Sequence, residues 1–426
     1  MRDGPLTLDT LPGGLRFVSE NVPQAESVAL GLWLPAGPRY ESPETSGLSH
    51  FLEHCLFKGA GQRDTRQLAL EADELGGDLE ALTEREATVI ELRVLPEDLE
   101  RGVSLLFDLA FRPWLPAEDL ELEKQVVLQE RKMAEDRPSD VLGDLLLERM
   151  WPDHPFGYPI LGREEVLLSC DAACLRDFHR ARYFSSGAVL AAAGPHDPYR
   201  LLSLAQAALP NPSPAQPPEP CCAPPTFSAG DWLKPRDFEQ VHVALAAPCP
   251  PAADDARYAL ALLDNILGGS VSSRLFQAVR EERGLAYAVG SSLSLFRNAG
   301  MVVIHFSTEP ELAVEALRAV AREMRRLRLQ GVTEDELVRA KQQARRSLAL
   351  SLESNMARAG RLAKNLLLMD RILPLREALD RLEAVTSKQT WQWAERLLVS
   401  ESLTMAVVGP VDNALWRDLR AVREDL

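Results

Sequence analysis

The sequence predicts an α+β protein built from two duplicated lobes, each an antiparallel sheet packed with helices. The first observation is an internal repeat, since Val28-Ala-Leu30 returns 215 positions later as Val243-Ala-Leu245. Gly194-Pro-His-Asp197 returns as Gly409-Pro-Val-Asp412 with the same offset of 215. The second observation is that short β-rich runs alternate with longer segments of helical period. Each lobe is therefore expected to be one copy of the same unit.

Three segments of the first copy illustrate this alternation. Residues 27–34 and 87–95 are rich in β-branched and other apolar residues, as strands are. Residues 116–131 begin with proline and acidic residues and then place apolar residues three and four positions apart. This is the pattern of a capped amphipathic helix.

A proline-rich stretch separates the two copies. Six of the twelve residues from 209 to 220 are prolines, and Pro224-Pro225 follow. Proline lacks the amide donor that helices and sheets require, so this stretch is expected to be a linker. The prediction is an N-terminal lobe at 1–208, a linker at 209–230 and a C-terminal lobe at 231–426.

The composition argues against several classes of protein. A formal net charge of -16 disfavours nucleic acid and anionic membranes as partners, because both are bound through concentrated positive charge. No apolar run reaches the length of about 18 residues that a membrane span needs, and the first residues contain no apolar signal core. We therefore expect a cytoplasmic protein. Its six cysteines are expected to be mostly free thiols.

The segment 47–55 contains the pattern His-x-x-Glu-His. His50 and His54 are four residues apart, so on a helix both rings project from one face and can bind one metal ion. Glu53 lies on nearly the same face, where a general base for a metal-activated water belongs. This is the inverted form of the commoner zinc-peptidase motif. The alternative is that these residues form only a polar stripe on a helix. Chance alone would produce the full pattern in roughly one such chain per hundred.

In these features the chain resembles the pitrilysin-like family of inverted-motif zinc peptidases, which includes insulin-degrading enzyme and the mitochondrial processing peptidase. The resemblance covers nearly the whole chain and is to the short two-lobe bacterial type. It implies a zinc-dependent endopeptidase with one Zn2+ per chain. Five motifs carry it, in the family's order and spacing: Leu11-Pro-Gly-Gly-Leu15, Ala36-Gly-Pro-Arg-Tyr-Glu41, Gly47-Leu-Ser-His-Phe-Leu-Glu-His54, Phe57-Lys-Gly59 and Pro159-Ile-Leu-Gly162.

The resemblance also implies the rest of the metal site. The family takes its third ligand from a glutamate in a Val-Leu-x-Glu context on a long helix, which Glu130 matches. Glu123 matches a further carboxylate that would orient the ligands, although a solvated helix charge is an equal alternative. Glu53 would take the proton of the zinc-activated water and return it to the leaving amine.

Residues outside the metal site are implied to bind the substrate. Arg280 and Tyr287 match a family pair that holds the peptide and stabilises the developing oxyanion, with an exposed arginine and a half-buried tyrosine as the alternative. Glu80, Ala81 and Leu82 match an edge strand that pairs with the substrate backbone. The family usually has asparagine where this chain has Glu80, and the added negative charge would favour basic peptides or weaken activity.

The second copy contains no His-x-x-Glu-His, so only the first lobe is expected to bind metal. The prediction is hydrolysis of peptides or unfolded segments in a chamber between the two lobes. A homodimer is the expected assembly, and a heterodimer with a similar chain is the alternative. The competing function is a non-catalytic or partner-dependent subunit of a heterodimeric processing peptidase.

Overall fold

The computed structural model describes residues 3–184, 187–210 and 223–426. As far as they are described, the segments Met1–Arg131, Tyr158–Cys222 and Ala349–Leu375 form one compact unit. Lys132–Gly157, Ala223–Leu348 and Arg376–Leu426 form the second. We call these the first unit and the second unit.

The first unit is built on a six-stranded sheet. Its strand order is β1-β2-β6-β3-β5-β4, so that β4 lies at one edge. Neighbouring strands are antiparallel except for the parallel pair β2 and β6. The strands are β1 (Leu6–Thr10), β2 (Arg16–Asn21), β3 (Val28–Leu34), β4 (Leu79–Thr83), β5 (Thr88–Val94) and β6 (Val189–Gly194).

The second unit repeats this topology in five strands. Its order is β7-β11-β8-β10-β9, again with one parallel pair, β7 and β11. Each of these strands corresponds to one of the first unit, and among the described residues β1 has no counterpart. The duplicated α+β fold is thus confirmed, although each sheet is mixed rather than purely antiparallel. The strands are β7 (Gly230–Pro235), β8 (Val241–Cys249), β9 (Ala288–Leu295), β10 (Gly300–Thr308) and β11 (Thr404–Gly409).

Helices cover the sheets. In the first unit the main core lies between the sheet and helices that include α1, α3 and α7. In the second unit the main core lies against α9, α10 and α14. The helices are α1 (Leu48–Cys55), α2 (Thr65–Glu74), α3 (Leu99–Phe111), α4 (Ala117–Glu135), α5 (Pro138–Met150), α6 (Glu164–Ser169), α7 (Ala172–Tyr183), α8 (Pro198–Ala208), α9 (Ala256–Leu267), α10 (Ala313–Gln330), α11 (Glu334–Ser351), α12 (Asn355–Met369), α13 (Leu375–Glu383), α14 (Ser387–Leu397) and α15 (Asn413–Glu424).

The remaining face of each sheet is covered by a helix from the other half of the chain. In the first unit α12 packs on β6, β3 and β2, where Leu362 and Leu366 belong to the same buried cluster as Trp33. In the second unit α5 packs on β11, β8 and β7 through residues such as Leu146 and Met150. The compact units are therefore each made of three segments, whereas the sequence suggested contiguous lobes at 1–208 and 231–426.

The predicted linker is described only in part. Residues 211–222 lie outside the described residues, and Cys221 and Cys222 lie outside them too. Residues 223–229 form neither helix nor strand. Throughout the described part of the chain, every helix is too short or too polar to cross a membrane.

Candidate metal centre

Helix α1 carries the two candidate histidine ligands on one face. The rings of His50 and His54 lie 4.6 Å apart between centroids, as side chains one turn apart should. The helix begins after Gly47, whose φ of 92° is readily adopted only by glycine. A side chain there would also collide with Gly162, since a Cβ would lie 2.5 Å from its Cα. Two of the quoted motifs therefore meet at the start of this helix.

A buried carboxylate satisfies the first amides of α1. Glu41 Oε2 accepts a hydrogen bond from the Gly47 amide at 2.8 Å, and Oε1 accepts one from Ser49 at 2.9 Å. These amides have no partner within the helix, so a capping acceptor is needed where water is excluded. Burial raises the pKa of Glu41, and the two amide hydrogen bonds act to lower it. Glu41 thereby fixes the helix that carries the histidines.

Helix α4 brings Glu130 to the two histidines. Glu130 Oε2 lies 3.5 Å from His50 Nε2 and 3.3 Å from His54 Nε2. One atom from each residue can be chosen so that all three lie within 4.8 Å of one another. Among the described residues this is the one such group of three or more potential ligands. The next residue of α4, Arg131, donates a hydrogen bond to the Gly162 carbonyl and so links this part of α4 to the turn beside α1.

The donor set fits a divalent cation. Glu130 Oε2 is buried and, in the part of the chain described, accepts no hydrogen bond. This oxygen lies beside two imidazole nitrogens and has no hydrogen-bond donor, so a bound cation would satisfy it. Burial and the neighbouring His54 lower the pKa of His50 to about 3, so its imidazole is neutral, as a metal ligand must be. Two histidines and one glutamate form a common catalytic zinc set with one coordination position left open.

Glu123 contacts the outer nitrogen of His54. Its Oε1 lies 3.0 Å from His54 Nδ1, and its Oε2 lies 2.5 Å from Lys58 Nζ. Burial acts to raise the pKa of Glu123, but the hydrogen bonds with Lys58 and His54 outweigh it and leave the pKa lowered. Glu123 is also buried, so the alternative of a solvated helix charge does not describe it.

Glu53 lies on α1 between the histidines and the edge of the sheet. The Thr83 hydroxyl, at the end of β4, donates a hydrogen bond to Glu53 Oε2 at 2.9 Å. Burial raises the pKa of Glu53 to about 7, against the lowering effect of Thr83 and His54. A carboxylate with such a pKa accepts a proton more readily than an ordinary glutamate.

Strand β4 places the predicted substrate-binding residues at the sheet edge. Ala81 packs into the main core, while Leu82 packs on the side covered by α12. Because side chains alternate along a strand, Glu80 lies on the α12 side and Thr83 on the side of α1. Glu80 is exposed and pairs with Glu91 across the ladder. The pKa of Glu91 is raised by burial and then by the charge of Glu80.

Arg280 and Tyr287 lie together in the second unit. Arg280 lies on a π-helical turn, Phe276–Glu281, and its guanidinium stacks over the Tyr287 ring at 4.5 Å. The same guanidinium donates a hydrogen bond to the Tyr287 carbonyl at 3.1 Å. Tyr287 is 79% exposed, so it is not the half-buried tyrosine of the alternative.

Comparison with known proteins identifies the family. The family described as "Insulinase (Peptidase family M16)" matches residues 16–164, and "Peptidase M16 inactive domain" matches residues 169–344. An uncharacterized zinc protease of Bacillus subtilis is 35% identical over 409 residues, which are 95% of this chain and 98% of that protein. The chain belongs to peptidase family M16. The pitrilysin-like resemblance is thus confirmed.

Solved structures share the fold of this M16 protein. The crystal structure of a peptidase M16 inactive domain from Pseudomonas fluorescens matches 96% of this chain and 98% of that chain, with a TM-score of 0.85 and 23% identity. A protease from Helicobacter pylori matches 95% and 99%, with a TM-score of 0.86 and 19% identity. At these identities the likeness shows the two-lobe fold alone.

Sequence reasoning missed four residues around the centre of this M16 chain. Glu41 accepts a hydrogen bond at the start of α1, and Lys58 pairs with Glu123. Arg131 donates a hydrogen bond to Gly162, and Thr83 donates one to Glu53. Two of them stand inside motifs that carried the resemblance, 36–41 and 57–59. Their presence in those motifs was the available signal, but the motifs did not reveal what each side chain contacts.

Proposed function

We propose that this chain is a zinc metalloendopeptidase that hydrolyses peptides or unfolded segments. The observation that carries the proposal is the convergence of His50, His54 and Glu130 within 4.8 Å. Beside them lies Glu53, a carboxylate outside the ligand set. Three ligands and a separate base are the parts that metal-assisted hydrolysis needs.

The chain's own residues divide the work of hydrolysis. His50, His54 and Glu130 would hold the zinc, which would supply Lewis-acid chemistry for the peptide carbonyl and the attacking water. Glu53 accepts the proton of that water and returns it to the amine that leaves. The Thr83 hydroxyl holds one oxygen of Glu53 in place, which keeps the base oriented between proton transfers.

The free edge of β4 supports backbone recognition of the substrate. Within the sheet as described, β4 pairs only with β5, so its other edge can accept an added strand. A peptide paired along Glu80, Ala81 and Leu82 would lie next to Thr83 and hence next to Glu53. Main-chain pairing is indifferent to most side chains, so we infer broad specificity for extended peptides.

Arg280 and Tyr287 are proposed to contact the peptide and its developing oxyanion. Support comes from the exposed phenol and from the stacked guanidinium, which together present donors for a carbonyl oxygen. We also propose that the active form is a homodimer located in the cytoplasm. Light scattering of the purified protein tests the assembly state.

A partner-dependent subunit is the second candidate. It is favoured by the match of residues 169–344 to a domain described as inactive. The complete donor set in the first unit disfavours it, because a subunit that only binds substrate needs neither a ligand set nor a base.

The deciding experiment combines zinc analysis with cleavage of a quenched fluorescent peptide. Glu53→Gln should retain zinc and lose most cleavage, whereas Glu130→Ala should lose zinc. Glu121→Gln is the matched control on α4, since that side chain is 68% exposed and should change neither. Zinc without cleavage in the native chain would favour the partner-dependent subunit. Equal zinc loss in Glu53→Gln and Glu130→Ala would reject the role of Glu53 as base.

A further inference from the structure

Lys58 lies at the end of a chain of three contacts that leads to a candidate ligand. It lies three residues after the end of α1, and its Nζ lies 2.5 Å from Glu123 Oε2. The other oxygen, Oε1, lies 3.0 Å from His54 Nδ1. His54 Nε2 then faces Glu130 at 3.3 Å. We propose that Lys58 is a positioning residue for the metal centre, acting through Glu123 on His54, and this inference rests on the proposed zinc site.

The first step is that Lys58 fixes the orientation of Glu123. A carboxylate can turn about its last side-chain bond, and either oxygen could then face His54. The ammonium of Lys58 binds one oxygen through a charge-assisted hydrogen bond, which leaves the other oxygen directed at Nδ1. Glu123 is 6% exposed, so water has little access to replace the lysine.

The second step is that Glu123 fixes the tautomer of His54. An ionised carboxylate only accepts hydrogen bonds, so Nδ1 must carry the proton and donate it. The lone pair then resides on Nε2, the nitrogen that faces Glu130. A carboxylate behind a ligating histidine both selects this tautomer and holds the ring plane.

The two candidate histidines differ in this respect. His50 Nδ1 is buried and has no hydrogen-bond partner among the residues described. Among the residues described, the His50 ring therefore lacks the orienting carboxylate that His54 has in Glu123. Loss of Lys58 should accordingly disturb one ligand of the three and weaken zinc binding without abolishing it.

Zinc affinity of the full-length protein tests this inference. We would measure the dissociation constant at one fixed pH by competition with a chromophoric chelator. Lys58→Met should weaken binding by about 10-fold to 100-fold, the range for loss of an orienting partner. Lys58→Arg should recover most of the affinity. Lys364→Met is the control, because it removes a lysine whose partner, Glu84, lies outside the centre, and it should change nothing.

A double substitution tests whether Lys58 acts through Glu123. Glu123→Gln should weaken zinc binding as Lys58→Met does, and the double variant should lose no more than the larger single loss. In metal-free protein with labelled histidine, nitrogen NMR should show His54 protonated at Nδ1 in the native chain and in mixed tautomers in Lys58→Met. A merely structural salt bridge would not change that signature.

The outcomes separate this inference from the proposed function. A native chain that binds no zinc would reject the proposed zinc site itself. A native chain that binds zinc, with unchanged affinity in Lys58→Met, would overturn the role of Lys58 alone. Additive losses in the double variant, or equal losses in Lys58→Met and Lys58→Arg with a lowered melting temperature of the metal-free protein, would also overturn it.

Discussion

Glu41 shows how one side chain can stabilise the start of the helix that carries the candidate metal ligands. Its two carboxylate oxygens accept the amides of Gly47 and Ser49 in a buried environment. Glu41→Ala would leave both amides without an acceptor, and each unsatisfied buried donor costs about 1–3 kcal/mol. We expect the free energy of unfolding in urea to fall by about 2–6 kcal/mol. Glu41→Gln keeps one acceptor oxygen and should lose less; an equal loss in both variants would contradict the capping role.

His179 makes stability depend on pH. Its imidazole is buried and hydrogen-bonded to the Ala110 carbonyl, and burial lowers its pKa from 6.5 to about 4. The unfolded chain therefore binds a proton at higher pH than the folded chain. The stability from His179 is complete above pH 6.5 and is lost as the pH falls towards 4, by up to about 3 kcal/mol.

Urea unfolding from pH 7 to pH 4 measures this dependence. The control is His179→Gln, which can donate to Ala110 but does not titrate. Its stability should fall less steeply over that interval than that of the native chain. Parallel pH profiles for the two proteins would show that His179 is not the group responsible.

The metal site illustrates which residues a sequence reveals. His50, Glu53 and His54 were predicted because their relation is local and follows from helix geometry. Glu130 came from resemblance alone, since no periodicity connects residues 76 positions apart. Lys58 and Thr83 were not predicted at all. Their contacts depend on how α1 meets α4 and β4, which a local pattern does not contain.

At the scale of elements, the free edge of β4 leads to a prediction about peptides. If the substrate pairs with this edge, its own amide groups must donate to the strand. A peptide N-methylated at alternate positions around the cleavage site loses those donors while keeping its side chains. We expect kcat/KM to fall by about 10-fold or more, since each lost hydrogen bond costs about 1 kcal/mol.

The matched control is the same peptide methylated at the alternate residues that face away from β4. That peptide should be cleaved at nearly the rate of the unmodified one. Equal cleavage of both methylated peptides would contradict strand pairing and would favour recognition by side chains. The measurement leaves the metal centre unchanged, so it tests recognition separately from hydrolysis.

Helix α12 is held on the first unit by a buried ion pair as well as by apolar contacts. Arg358 lies 2.6 Å from Glu20, whose side chain is completely buried. Arg358→Met should cost about 3 kcal/mol of unfolding free energy, because the buried glutamate loses its shortest ion pair and keeps only Arg361 at 3.9 Å and the Gly4 amide. The double variant Glu20→Gln/Arg358→Met should recover much of that loss. If the double variant lost as much unfolding free energy as the two single variants together, the two residues would not be coupled.

Element bounds were predicted more closely than element partners. The strand expected at 27–34 is β3 at Val28–Leu34, and the helix expected at 116–131 is α4 at Ala117–Glu135. Periodicity shows which face of a helix is apolar but not which sheet that face covers. For this reason the pattern of α12 gave no sign that it packs on β3 and β6 of the first unit.

At the scale of the whole molecule, α5 and α12 each pack on a sheet formed by the other half of the chain. We therefore expect that neither half folds properly alone. A fragment of residues 1–230 lacks α12 and would expose the sheet face that contains Val18, Ala29 and Trp33. Exposed apolar faces of this kind promote aggregation and binding of hydrophobic dyes. We expect the isolated fragment to bind such a dye and to unfold without a cooperative transition.

Co-expression with the complementary fragment 231–426 should restore both units, because each fragment supplies the helix that the other lacks. The two fragments should then purify together in a 1:1 ratio and bind zinc. Fragment 1–230 carrying residues 349–375 at its end is the sharper control, since it adds only the segment with α12 and should regain cooperative unfolding. A cooperative, dye-free fragment 1–230 would mean that α12 is dispensable and that the contiguous lobe expected from the sequence is the true folding unit.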